Sequence, residues 1–105
     1  MAEGSSPSPG AMPALPDSEI SDRLASLDGW SREGDNIVKT YELPSFMDAI
    51  DFVTRVAVFA EAANHHPDLD IRYRKVRVAL STHDQGGITD KDFALAGDIE
   101  SVSQK

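Results

Sequence analysis

The 105-residue chain has no cysteine. That removes disulfide staples, thiol nucleophiles and thiolate metal sites, and it fits a reducing compartment. Positive charge is scarce as well. Ten Lys and Arg stand against 18 Asp and Glu, a formal net charge of −8. Such a balance offers no broad basic surface to displace counterions from phosphates, so neither nucleic acid nor an anionic membrane is an expected partner. The one basic run, Arg72, Arg74, Lys75 and Arg77, reads as the solvated face of a strand-like segment. No apolar run is long enough for a membrane span. The first residues lack the basic-then-apolar pattern of a secretory leader. The expectation is a cytoplasmic protein with one domain and one modest core.

What is present falls into order along the chain. Residues 1–16 are rich in Ser, Pro, Gly and Ala and read as a disordered tail, with the domain at 17–105. Asp17 or Ser18 can cap a first helix over about Glu19 to Leu27, with Ile20, Leu24 and Leu27 on one face. A short strand begins near Trp30, and Glu33-Gly34-Asp35-Asn36 is a turn signal before a strand from Ile37. Ser45 and Asp48 form a capping box that opens a long helix to about Asn64. Phe46, Ile50, Val53, Ala57 and Ala60 make one apolar stripe on it; Phe52, Val56, Phe59 and Ala63 make a second. Part of that wide face is expected on the sheet and part against another subunit. Two more strands follow, with a turn at Arg74-Lys75 and the clearer strand at Val76–Thr82. Thr89 and Asp92 form a second capping box, opening a last helix through about Val102. Hairpins separated by a helix favour an α+β fold: a four-stranded antiparallel sheet with three helices packed on one face.

All three histidines, His65, His66 and His83, lie in one window. Pro67 disfavours helical geometry at His66, so it should stop the long helix there and hold both imidazoles on a fixed turn. Glu61 lies one helical turn before His65 and could set its tautomer; Asp92 could do the same. Imidazoles beside carboxylates suit general acid–base catalysis near neutral pH. The bland alternatives are real. Asp92 is already explained as the N3 acid of a capping box, and Glu61 as an ordinary helix-surface acid. A metal site is a weaker candidate, because adjacent His65 and His66 diverge rather than converge as an i, i+4 pair does.

Glu61-x-x-x-His65-His66-Pro67, Tyr73, Leu80-Ser81-Thr82-His83 and Asp92, with Gly29-Trp30 and Thr54-Arg55-Val56-Ala57, together resemble the signature of the pterin-4a-carbinolamine dehydratases. The resemblance covers most of the chain after the tail. It implies the same α+β fold, assembly as a homodimer or homotetramer, and loss of water from 4a-hydroxytetrahydropterin to give quinonoid dihydropterin. It implies no metal and no added cofactor. Carried over position by position, it implies His65, His66, His83, Glu61 and Asp92 as catalytic residues. His65, His66, Pro67, Thr82, His83, Asp84 and Gln85 would line the pterin pocket. Leu69 stands where many members of that family carry an aromatic residue. Two alternatives accompany the reading: a partner-binding module that uses the helix face, and the same chemistry in another pterin pathway.

Overall fold

The computed structural model describes residues 14–103. Its elements run α1 (Asp17–Leu24), β1 (Ser31–Glu33), β2 (Asn36–Glu42), α2 (Phe46–Ala63), β3 (Asp68–Arg72), β4 (Lys75–Leu80) and α3 (Asp90–Ser103). The four strands form one antiparallel sheet in the order β1-β2-β4-β3. This is the α+β architecture expected from the sequence. The tail assignment for residues 1–13 lies outside the described residues.

Alternation decides which sheet face is covered. Ile37 pairs with Leu80, Lys39 with Val78 and Tyr41 with Val76, so these six side chains share one face. Leu69 joins them through its pairing with Val78. The helices cover this face. Ile20 of α1, Ala49, Phe52, Val56 and Ala60 of α2, and Leu95, Ala96, Ile99 and Val102 of α3 complete one core cluster. The inward stripe of α2 is therefore shifted from the expected one. Phe46 and Ala57 are exposed, and Ala49 takes a core position. The spacing of Ala49, Phe52, Val56 and Ala60 (three, four, four) is that of one helix face.

Several local details differ from expectation. α1 begins at Asp17 rather than Glu19, with Pro16 as its N-cap and no side-chain cap. The β3–β4 turn falls at Tyr73-Arg74, one residue early, with Lys75 already paired to Arg72. Tyr73 has φ of 58° and is exposed. Residues Ala14–Pro16, read from sequence as tail, lie against the domain. The Leu15 amide donates to Ile88 O at 2.8 Å, and the Leu15 side chain packs on the core.

One polar cluster ties α3 to the sheet. Glu100 Oε2 accepts from Trp30 Nε1 at 3.0 Å, from Lys39 Nζ at 2.7 Å and from the Tyr41 hydroxyl. Burial, and next the hydrogen bond to Glu100, push the Tyr41 phenol well above its ordinary value. Burial alone would raise Glu100. The hydrogen bonds from Lys39, Tyr41 and Trp30 outweigh that and hold it below the usual carboxylate value.

Candidate active site

The site begins where α2 ends. Asn64 adopts φ 50°, ψ 43°, a left-handed conformation that Asn tolerates better than most residues. Its amide donates to Glu61 O at 3.2 Å, and the next amide, that of His65, donates to Ala60 O at 3.0 Å. These are the paired bonds of a Schellman cap. The helix thus stops at Ala63, four residues before Pro67. Proline is not the terminator expected from the sequence; the asparagine is.

The reversal sends the two imidazoles apart. His65 turns inward and is 9% exposed. Its Nε2 lies 2.5 Å from Asp92 Oδ1 on α3. His66 turns outward, and its Nε2 lies 2.6 Å from Glu61 Oε2. Glu61 therefore serves His66, not His65, because the left-handed residue breaks the i, i+4 relation on which the expected pairing rested. Both partners of the His66–Glu61 pair are exposed, where an ion pair is worth at most about 1 kcal/mol.

Asp92 fills both roles read for it. As the N3 acid of α3 it accepts the Thr89 amide on Oδ2 at 2.9 Å, and the same oxygen accepts the Thr82 hydroxyl at 2.9 Å. Its other oxygen meets His65. The carboxylate is fully buried, as is Thr89, and Thr82 is 3% exposed. A buried carboxylate needs such a complement of donors.

The opposite wall comes from the end of β4. Thr82 N–H donates to Gly87 O at 2.9 Å, and Gly87 N–H donates back to Thr82 O at 3.3 Å. This bridge closes the loop 83–86, whose first residues form a 3-10 turn, His83–Gln85. Gly86, at φ 75°, supplies the positive φ that the return needs. His83 stands at the start of this loop; for this residue the backbone alone is described, and its proposed chemistry lies outside the described side chains. An open depression of about 310 Å³ lies between these walls, lined by Asn64, His65, His66, Ser81, Thr82 and Asp84. That volume suits a small ligand. Pro67 and Gln85 do not line it. Asn64 and Ser81 do, and the sequence reading did not select them. For Asn64 the signal was available, as Asn is a common left-handed helix terminator. Among the described residues no three His, Asp or Glu side chains gather as they would around a metal ion.

Known proteins resemble this chain in sequence and fold. A family model described as pterin 4 alpha carbinolamine dehydratase matches residues 13–102. The chain belongs to the pterin-4a-carbinolamine dehydratase family. A family member from Roseiflexus castenholzii, so named by provisional assignment, is 59% identical over 88 residues, covering 84% of this chain and 95% of its own. One from Mycobacteroides abscessus, likewise provisional in name, is 51% identical over 90 residues, with coverages of 86% and 96%. Among solved structures, a protein described as transcriptional coactivator/pterin dehydratase from Brucella melitensis superposes with a TM-score of 0.82 at 31% identity, covering 85% of this chain and 97% of that one. A pterin dehydratase-like protein described as a RuBisCO assembly factor in the alpha-carboxysome has a TM-score of 0.58 at 16% identity, covering 70% and 86%; it shares the fold. Among the described residues no helix of this family member is long and apolar enough to cross a membrane.

Proposed function

We propose that the protein dehydrates a 4a-hydroxytetrahydropterin to the quinonoid dihydropterin by histidine general acid–base catalysis. The observation that carries this reading is the buried His65–Asp92 pair at the wall of an open depression that His66, Thr82 and Asp84 also line. Family membership supports the substrate class. A protonated imidazole, His65 or His83, gives its proton to the 4a-hydroxyl, and the C4a–O bond breaks with release of water. The resulting cation spreads over C4a and N5. A neutral imidazole then takes the N5 proton, directly or through water, as the C4a=N5 double bond forms. His66 holds the pterin ring. Nearby carboxylates favour the cationic intermediate. Every atom and proton is supplied by substrate and side chains, so no added cofactor enters the balance. In this reading the reaction follows aromatic hydroxylation in the cytoplasm and hands the quinonoid dihydropterin to a separate reductase that regenerates the tetrahydropterin; the alternative is the same chemistry in another pterin pathway.

The test follows the ultraviolet decay of enzymatically generated 4a-hydroxytetrahydropterin. Wild-type protein accelerates it above the spontaneous rate, and a His65→Ala, His83→Ala double variant does not. No acceleration from well-folded wild type would sink the reading.

A second reading is favoured by the outward side of α2, where Met47 and Val58 are strongly exposed and Phe59 is more than one-third exposed. Val58 and Phe59 edge a groove with Ser101 and Val102 of α3. This face suits assembly as a homodimer or homotetramer, or a binding role independent of the histidines. Light scattering of wild type beside Val58→Glu separates the two. A change of mass identifies self-assembly, and an unchanged monomer rejects it.

A further inference from the structure

We propose that Thr89 is a positioning residue for His65, acting through a one-way chain of hydroxyl groups. The catalytic part of the proposal rests on the dehydratase reading; the chain itself does not. Hydrogen counting gives its direction. Thr82 has one hydroxyl proton and donates it to Asp92 Oδ2 at 2.9 Å. The 2.8 Å contact between the Thr82 and Thr89 hydroxyls must then be donated by Thr89. Thr89 Oγ1 in turn accepts from the Lys91 amide at 3.2 Å. The chain runs from the Lys91 amide to Thr89, to Thr82, to Asp92.

Two donors on Asp92 Oδ2, the Thr82 hydroxyl and the Thr89 amide, leave Oδ1 for His65 Nε2. A carboxylate that only accepts has no proton to give, so the Oδ1 contact is donated by the ring. The shared proton therefore sits on His65 Nε2, and Nδ1 is left as the nitrogen that exchanges protons with a ligand. Thr89 and Asp92 are fully buried and Thr82 nearly so, and valine matches threonine in volume, so Thr89→Val opens no space for a water in the missing link. Without the Thr89 hydroxyl, the Thr82 oxygen loses the donor that fixes its position. Its bond to Asp92, one of the two that hold the carboxylate plane against the ring, is then less constrained in direction. Capping alone accounts for the Thr89 amide and for the Lys91 contact. It does not account for the bond to Thr82, which leads away from the helix toward the imidazole.

The experiment compares wild type, Thr89→Val and Thr89→Ser. It reads the His65 tautomer by long-range proton–nitrogen NMR of the neutral ring, together with kcat and KM. Wild type and Thr89→Ser should show the proton on Nε2. Thr89→Val should show a mixture of tautomers, with kcat down about tenfold (the scale of one hydrogen bond) and KM within about twofold. Recovery in Thr89→Ser separates the hydroxyl from general packing. If Thr89→Val lowers the melting temperature while ring and kcat stay unchanged, Thr89 is a cap only and the proposal fails. Should Thr89→Val not fold, Thr82→Val cuts the same chain and leaves the capping box in place; an unchanged tautomer there is equally fatal. A wild-type ring with its proton on Nδ1 overturns the chain outright. Lack of turnover in wild type would remove the dehydratase reading, yet the NMR result would still decide the chain.

Discussion

Asp92 binds His65 with one carboxylate oxygen and caps its own helix with the other. Fold and site therefore meet in one side chain. Asp92→Asn keeps the shape but cannot serve as acceptor to all its donors. We expect kcat to fall about a hundredfold, the scale of a positioned acid–base group. Asp92→Ala should also cost about 3 kcal/mol of stability, because the Thr82 hydroxyl, Thr89 amide and His65 ring lose a common partner. Denaturant unfolding beside turnover checks both. Full activity in Asp92→Asn would leave only the capping role.

Much of this was legible in the residues. Alternation at Ile37–Tyr41 and Val76–Leu80, and the capping boxes at Ser45 and Thr89, gave the element order, because those signals are local. The pairing of Glu61 with His66 was not legible. It depends on the single left-handed residue Asn64, which cancels the i, i+4 relation between Glu61 and His65. Asp92 was legible in both roles, as a cap and as a carboxylate for a histidine, although that histidine lies 27 residues away. Ala49 was passed over as a core residue because Phe46 carries more apolar weight in the pattern, yet helix geometry turns Phe46 outward.

Glu100 is expected to matter for stability and not for chemistry. It sits on the far part of α3, where three donors from Trp30, Lys39 and Tyr41 converge on one oxygen. Glu100→Ala leaves all three without that acceptor, at a cost of about 2–4 kcal/mol. For a domain of this size that lowers the melting temperature by about 10 °C or more. Calorimetry gives the shift, and kcat of the folded fraction should stay within about twofold. An unchanged melting temperature would mean that the cluster contributes little.

The same cluster sets two pH limits on stability. Glu100 is held below its ordinary value of 4.5 in the fold. Its contribution is present above that value and is lost as pH falls through the lower, folded one. Tyr41 is held above its ordinary value of 10.0. Its contribution is complete below pH 10 and is lost as pH rises beyond it. Urea midpoints should therefore fall at both extremes. In Tyr41→Phe the alkaline arm should flatten while the acid arm persists. A Tyr41→Phe variant with an unaltered alkaline arm would remove Tyr41 as its source.

Leu15 should hold the loop that carries His83. Its amide bonds Ile88 O, and Ile88 lies between the Thr82–Gly87 bridge and the Thr89 cap. A variant beginning at Ala14 keeps this contact, whereas one beginning at Pro16 loses it. The second should be about 1–2 kcal/mol less stable, from one hydrogen bond and a partly buried leucine. Amide exchange at Gly87 and Ile88 should quicken in the shorter chain alone. Equal exchange in both would separate Leu15 from the loop.

Tyr73 is expected to be a position where substitution stabilises. Its φ of 58° is left-handed, and an L-residue with a bulky side chain is strained there by about 1–2 kcal/mol. The ring is 71% exposed and has little packing to lose. Tyr73→Gly removes the strain but adds backbone entropy to the unfolded chain, so the net gain should be about 0.5–1 kcal/mol. Tyr73→Asn, which tolerates this region and keeps a side chain, should gain a similar amount. If both variants are instead less stable in a monomeric preparation, the ring makes contacts that offset the strain. If both lose stability only where the protein self-associates, the ring belongs to the interface between copies.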